Sequence, residues 1–173
     1  MMAHLRKRDF WIPLILLSLL LIDTVMANVF SPWFIGAQYI LVPRLIVIGL
    51  VIFSFMTDTS AMFWMTVGIG LMYDSYTTGI LGVYTFLFAL IVTIMTRMKR
   101  QLHINAFTLA VVLVIALFVV ESGSYFFYSF LGMTKISWQQ FLIKRLSASM
   151  ILNIVLYYMS YYPLRSFAKW LEG

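Results

Sequence analysis

The chain has no cysteine in its 173 residues and only two histidines, His4 and His103, far apart in polar flanks. That excludes disulfides, a thiolate nucleophile and cysteine metal sites, and it leaves no metal-ligating cluster to build on. Charge is scarce as well: 10% of residues are Asp, Glu, Lys or Arg, against roughly 25% in soluble domains. No fixed-period repeat, low-complexity tract or linker divides the chain, so residues 1–173 read as a single domain.

What fills the space is oil. Hydrophobic residues make up 63% of the chain, against roughly 45–50% in soluble domains. An all-α integral membrane protein follows, with about six transmembrane helices, since one span takes about 20 apolar residues. Arg6, Lys7 and Arg8 precede an apolar run from Phe10 to about Phe30. The run is too long for a signal sequence and more spans follow, so it reads as a retained first helix holding Asp23. Pro32 and Gly36 break it. Pro43 and Arg44 open a second span to about Phe55, with the proline in the first turn. Asp58 offers an N-cap to a third span, Ala61 to about Tyr73. The fourth runs from about Ile80 to Thr96 and stops at Arg97, Lys99 and Arg100. The fifth extends from Asn105 to Leu131, about 40 Å and longer than a roughly 30 Å hydrocarbon core. It should tilt, protrude or break, and Glu121-Ser122-Gly123-Ser124 is the place for a break. A polar connection, Gly132 to Gln140, leads to a last span that begins after Lys144 and Arg145 and ends near Tyr162-Pro163.

The net charge of +6 comes from bases flanking apolar spans, where they serve orientation and lipid-phosphate contact rather than nucleic acid. With the N-terminus inside, eight bases fall inside (Arg6, Lys7, Arg8, Arg97, Lys99, Arg100, Arg165, Lys169) and four outside (Arg44, Lys135, Lys144, Arg145). Both termini are predicted cytoplasmic. Trp11, Trp33, Trp64, Trp138 and Trp170 fall near span ends, as an interfacial aromatic belt expects.

One stretch, Gly68 to Gly82, has the makings of a site. Gly70 and Asp74 share a helical face, and the glycine lets a neighbouring helix approach closely. Gly79 and Gly82 suit a tight turn followed by close packing. Gly70, Gly79 and Gly82 are therefore expected at close helix contacts or turns. Two readings fit Asp74: a polar residue at a helix end, or a functional carboxylate facing the interior. Catalysis finds no support. Tyr73-Asp74 lacks the second, Gly-x-Gly-Asp aspartate of an intramembrane aspartyl protease. The glycines lack the Gly-Lys-Ser/Thr of a phosphate loop, and no Ser/His/Asp set assembles. The chain reads as a non-enzyme without cofactor or metal. Counted from their span starts, Asp23, Asp74 and Glu121 lie about 20, 20 and 24 Å from the cytoplasmic side. Arg44, Lys144 and Arg145 begin spans at that same level. These six residues predict an outward-opening polar cavity with at least one acid–base pair.

Gly70-Leu-Met-Tyr-Asp74 followed by Gly79-Ile-Leu-Gly82 resembles the signature of the bacterial rod shape-determining MreD family. The length, the basic start, Pro43 opening span two, Glu121 in span five, and Asn153 with Pro163 in the last span agree in layout. The resemblance implies a non-catalytic scaffold in the bacterial plasma membrane, similar in fold to the substrate-binding subunits of ECF transporters. Its implied partner is MreC, and through it MreB, an elongation-specific penicillin-binding protein and a SEDS glycosyltransferase in lateral peptidoglycan synthesis. The alternative is a membrane subunit of an ECF-type transporter that binds a small, vitamin-like molecule.

Overall fold

A computed structural model describes residues 7–30, 32, 39–55, 59–99, 101, 105–134 and 136–172. Among them are six helices of ten residues or more: α1 (Lys7–Val29), α2 (Leu45–Ser54), α3 (Thr59–Tyr73), α4 (Val83–Met98), α5 (Ala106–Phe130) and α6 (Ser147–Glu172). A π-helical turn, Asp74–Thr78, prolongs α3, and another, Phe141–Leu146, follows the short helix Trp138–Gln140 and leads into α6. The stretches Phe10–Val29, Ala106–Phe130 and Trp138–Phe167 are long and apolar enough to cross a membrane. The expected cap at Asp58, the break at Gly36, the anchor Trp33, and the bases Arg6, Arg100 and Lys135 lie outside the described residues.

The bundle is arranged around α2. Its sequence, Leu-Ile-Val-Ile-Gly-Leu-Val-Ile-Phe-Ser, has no polar face, and all ten residues are buried. A helix apolar on every side must be surrounded, and α2 packs against each of the other five helices. Gly49 is what lets α1 close on it: a Cβ there would lie 2.5 Å from Leu19 Cδ1. At ten residues, α2 is only about 15 Å long. The extended stretch 39–44 supplies the missing length, about 20 Å at ~3.3 Å per residue, so this passage is half extended chain and half helix. Pro43 accordingly stands just before α2, with Arg44 as its N-cap, rather than in the first turn as the sequence suggested.

Extended backbone inside a bundle needs partners for its N–H and C=O groups. They come from the α6 side. Ser149 Oγ accepts from the Val42 amide at 3.0 Å and donates to the Ile40 carbonyl at 3.3 Å. Asn153 Nδ2 donates to the Val42 carbonyl at 2.8 Å, and its Oδ1 accepts from the Arg44 amide at 2.7 Å. The Ile40 amide donates to the Lys144 carbonyl at 2.7 Å. Two short polar side chains on α6 thus do for this segment what a neighbouring strand would do in a sheet.

Two further expectations need correction. α5 does not break at Glu121–Ser124 but runs unbroken from Ala106 to Phe130. Two of the polar groups that were to weaken it are satisfied: Ser124 Oγ donates back to the Glu121 carbonyl at 2.9 Å, and the carboxylate is ion-paired, while Ser122 Oγ is buried without a hydrogen-bond partner among the described residues. Nor does the last helix stop at Pro163: α6 begins at Ser147, after Arg145 as expected, with helical turns leading into it from Trp138, and it continues to Glu172. Arg165 Nη1 donates to Tyr161 Oη at 2.5 Å across the proline, and Phe167 packs edge-on against Trp11, ring centroids 6.1 Å apart.

Candidate functional site

Two buried acids and one buried base meet around the N-terminal end of α2, and a third buried acid holds the start of α4. A helix begins with amide groups that have no internal acceptor and with the positive end of its dipole, so a carboxylate there is stabilised twice. Asp23, on α1, accepts from the amides of Leu45 at 2.7 Å and Ile46 at 2.9 Å. It caps α2 from another helix. Asp74, at the end of α3, does the same for α4. Its carboxylate accepts from the amides of Gly82 (2.8 Å), Tyr84 (3.0 Å) and Thr85 (3.1 Å) and from the Thr85 hydroxyl (2.8 Å).

The glycines around Asp74 make that reach possible. A Cβ on Gly70 would sit 2.6 Å from Thr85 Cα, so α3 and α4 touch backbone to backbone one turn below the carboxylate. Gly79 and Gly82 have φ of +68° and +106°, a left-handed conformation that glycine adopts without steric cost. They turn the chain so that the first amides of α4 face back toward Asp74.

Arg44 joins the two capped ends. Its Nε donates to Glu121 Oε1 at 2.7 Å, its Nη1 to the Tyr73 hydroxyl, and its Nη2 to the Tyr84 hydroxyl at 3.0 Å. Its guanidinium carbon lies 4.9 Å from the Tyr84 ring centroid, a cation–π contact. Glu121 in turn accepts from Arg145 Nε at 3.1 Å through its other oxygen. One carboxylate thus bridges two arginines from different parts of the chain.

An acid–base pair is present, but the outward-opening cavity expected from the sequence is not built from these residues. Asp23, Arg44, Asp74 and Glu121 are all 3% exposed or less. Each points at protein groups, because a helix N-terminus or a guanidinium satisfies a carboxylate as completely as water would. Arg145 is the partly exposed rim of the cluster, and Lys144 lies on the surface. Among the described residues, apolar grooves lie beside Phe10 and Met72, beside Phe86 and Phe127, and beside Tyr39 and Ile151, the last about 500 Å³, and none of these is lined by the six predicted cavity residues. Sequence reasoning missed Tyr73, Tyr84, Ser149 and the clamping role of Asn153. A polar residue at every fourth position of an apolar helix, Ser149 and Asn153, was the available signal.

Fold and site together define an all-helical protein, with helices long and apolar enough to cross a membrane, whose interior charges fasten its own helix ends. The chain belongs to the MreD family: the profile described as rod shape-determining protein MreD matches residues 7–170. The rod shape-determining protein MreD of Bacillus subtilis (strain 168) is 24% identical over 161 residues, covering 92% of this chain and 93% of that protein. The cell shape-determining protein MreD of Streptococcus pneumoniae (strain ATCC BAA-255 / R6) is 31% identical over 87 residues, 50% of this chain and 53% of its own. No solved structure matches the chain.

Proposed function

We propose that this protein is a non-catalytic membrane scaffold for rod-shape determination, working with MreC and through it with MreB, the elongation penicillin-binding protein and the SEDS glycosyltransferase. The observation that carries this reading is the saturation of the buried charges. The carboxylates of Asp23 and Asp74 are held by helix N-termini, Glu121 by two arginines, and Arg44 by Glu121, Tyr73 and Tyr84. Groups so engaged stabilise a fixed shape. A carrier needs interior polar groups that exchange partners when cargo arrives, and a hydrolytic site needs an acid or base open to a reacting atom. The large apolar side chains on the outside, Phe86, Phe107, Ile151 and Tyr162 among them, suit recognition of lipid and of partner helices within the bilayer. The bases near the start of α1, the end of α4 and the end of α6 favour a topology with both termini in the cytoplasm.

The test is affinity purification of the full chain from bacterial membranes in nanodiscs, with depletion in the same strain. A single-span coiled-coil partner recovered with the chain, together with rounding of depleted cells and loss of lateral wall synthesis, is the expected result. Normal rods after depletion, or a tightly held vitamin in place of a protein partner, would overturn it.

A further inference from the structure

Glu121 offers one negative charge to two guanidinium groups, and they are not equivalent. Arg44 is enclosed and has protein acceptors for all three nitrogens. Arg145 uses only Nε, and its side chain is 31% exposed against 3% for Arg44. Its two terminal nitrogens, with four N–H donors between them, meet no acceptor among the described residues. The π-helical turn Phe141–Leu146, which carries an extra residue per turn, presents Arg145 to α5 at this point.

Depth decides what that open edge meets. One turn beyond Glu121, Tyr125 stacks on Phe141 with centroids 4.5 Å apart, and Phe126 stacks on Trp138 at 4.9 Å. Tyr and Trp collect at the level of lipid headgroups. With Tyr125 and Trp138 taken at that level, the Arg145 guanidinium lies about 6 Å beneath it, one helical turn at 1.5 Å per residue. A cation facing hydrocarbon is costly, so long basic side chains at this depth direct their heads to the interface. The planar guanidinium fork also matches the oxygens of phosphate in a bidentate contact.

We propose that the open edge of Arg145 binds a phosphate group presented from the membrane surface, at the end of the bundle remote from where α1 begins and α6 ends. Glu121 holds the inner edge through Nε, and the phosphate takes the terminal nitrogens. The phosphate belongs to a phospholipid headgroup or to a soluble phosphate ion. This inference rests on the membrane reading of the fold and is independent of any protein partner.

Native mass spectrometry of the full chain released from detergent micelles tests it. The probes are phosphatidylglycerol and a diacylglycerol of the same acyl chains, which lacks phosphate. The wild type should keep one phosphatidylglycerol under activation that strips the rest, about tenfold above diacylglycerol, the scale of a charge-assisted pair. Arg145→Gln should reduce it to the diacylglycerol level, and Arg145→Lys, which keeps charge but loses the fork, by several-fold. Arg97→Gln, an exposed base near the end of α4, should change nothing. Displacement of the lipid by excess inorganic phosphate assigns the site to soluble phosphate; retention assigns it to the headgroup. Equal retention of the two lipids by wild type, or loss in Arg97→Gln as large as in Arg145→Gln, overturns the site. If Arg145→Gln does not fold, undiminished retention in Arg145→Lys overturns it equally.

Discussion

Glu121→Gln probes the interior network most directly. The carboxylate receives Arg44 at 2.7 Å and Arg145 at 3.1 Å and is 1% exposed. Glutamine keeps the size and one acceptor oxygen but removes the charge, so both guanidinium groups lose their counter-ion together. Removing one partner from a buried pair costs about 3–5 kcal/mol, because the other charge is left uncompensated. Arg44→Gln is expected to cost less, about 2–3 kcal/mol. It strands two tyrosine hydroxyls at about 1 kcal/mol each, while Glu121 keeps Arg145. Arg145→Gln should cost about 1 kcal/mol or less, since its partner retains Arg44 and its own side chain is partly in solvent. The order Glu121→Gln, then Arg44→Gln, then Arg145→Gln can be read from sodium dodecyl sulfate titration of the protein in mixed micelles, followed by tryptophan fluorescence. An Arg145→Gln variant as unstable as Glu121→Gln, or a Glu121→Gln variant within about 0.5 kcal/mol of wild type, would refute the reasoning.

Other perturbations separate contact from conformation. Gly70→Ala should destabilise by about 1–3 kcal/mol because its Cβ would meet the Thr85 backbone, whereas Gly68→Ala, with nothing within 4 Å, should be neutral or slightly stabilising; equal melting temperatures would count against the close α3–α4 approach. Gly79→Ala and Gly82→Ala should each cost about 1 kcal/mol through backbone strain alone, as no atom lies within 4 Å of either Cβ. Asp23→Ala and Asp74→Ala should each cost about 2 kcal/mol or more, with Asn recovering part, since one of its two terminal atoms still accepts; full rescue by Asn would mean that charge at the helix end is immaterial. Because the chain lacks cysteine, single-cysteine variants report topology: Met133→Cys should react in whole cells with an impermeant thiol reagent and Gln101→Cys should not, and the reverse pattern would invert the proposed orientation.

Hydropathy made the helices legible, because apolar runs of this length have few alternatives, and their number and approximate bounds follow. The importance of Asp74 and its glycines could also be read, since Gly70 and Asp74 are one turn apart on one helix. What could not be read was the direction of each polar group. Asp23 caps a helix that starts 22 positions later on a different element, and Asn153 clamps backbone 109 positions away. Local spacing carries no trace of such pairings. The expectation of an open cavity failed for the same reason: an acid inside a membrane helix signals that something satisfies it, and the sequence alone does not say whether that is water, a base or the end of a neighbouring helix.

The central position of α2 has a consequence for the order in which the molecule is made. Arg44 leaves the ribosome 77 positions ahead of Glu121 and 109 ahead of Asn153. At about 5–20 residues per second of synthesis, the stretch carrying Arg44 waits roughly 4–15 s for its counter-ion and still longer for its backbone clamp. A nascent chain halted before Glu121 holds an arginine and an unpartnered extended segment with no place in lipid. The second passage therefore takes its final form only after α5 and α6 have arrived, and the innermost part of the bundle is among the last to be completed.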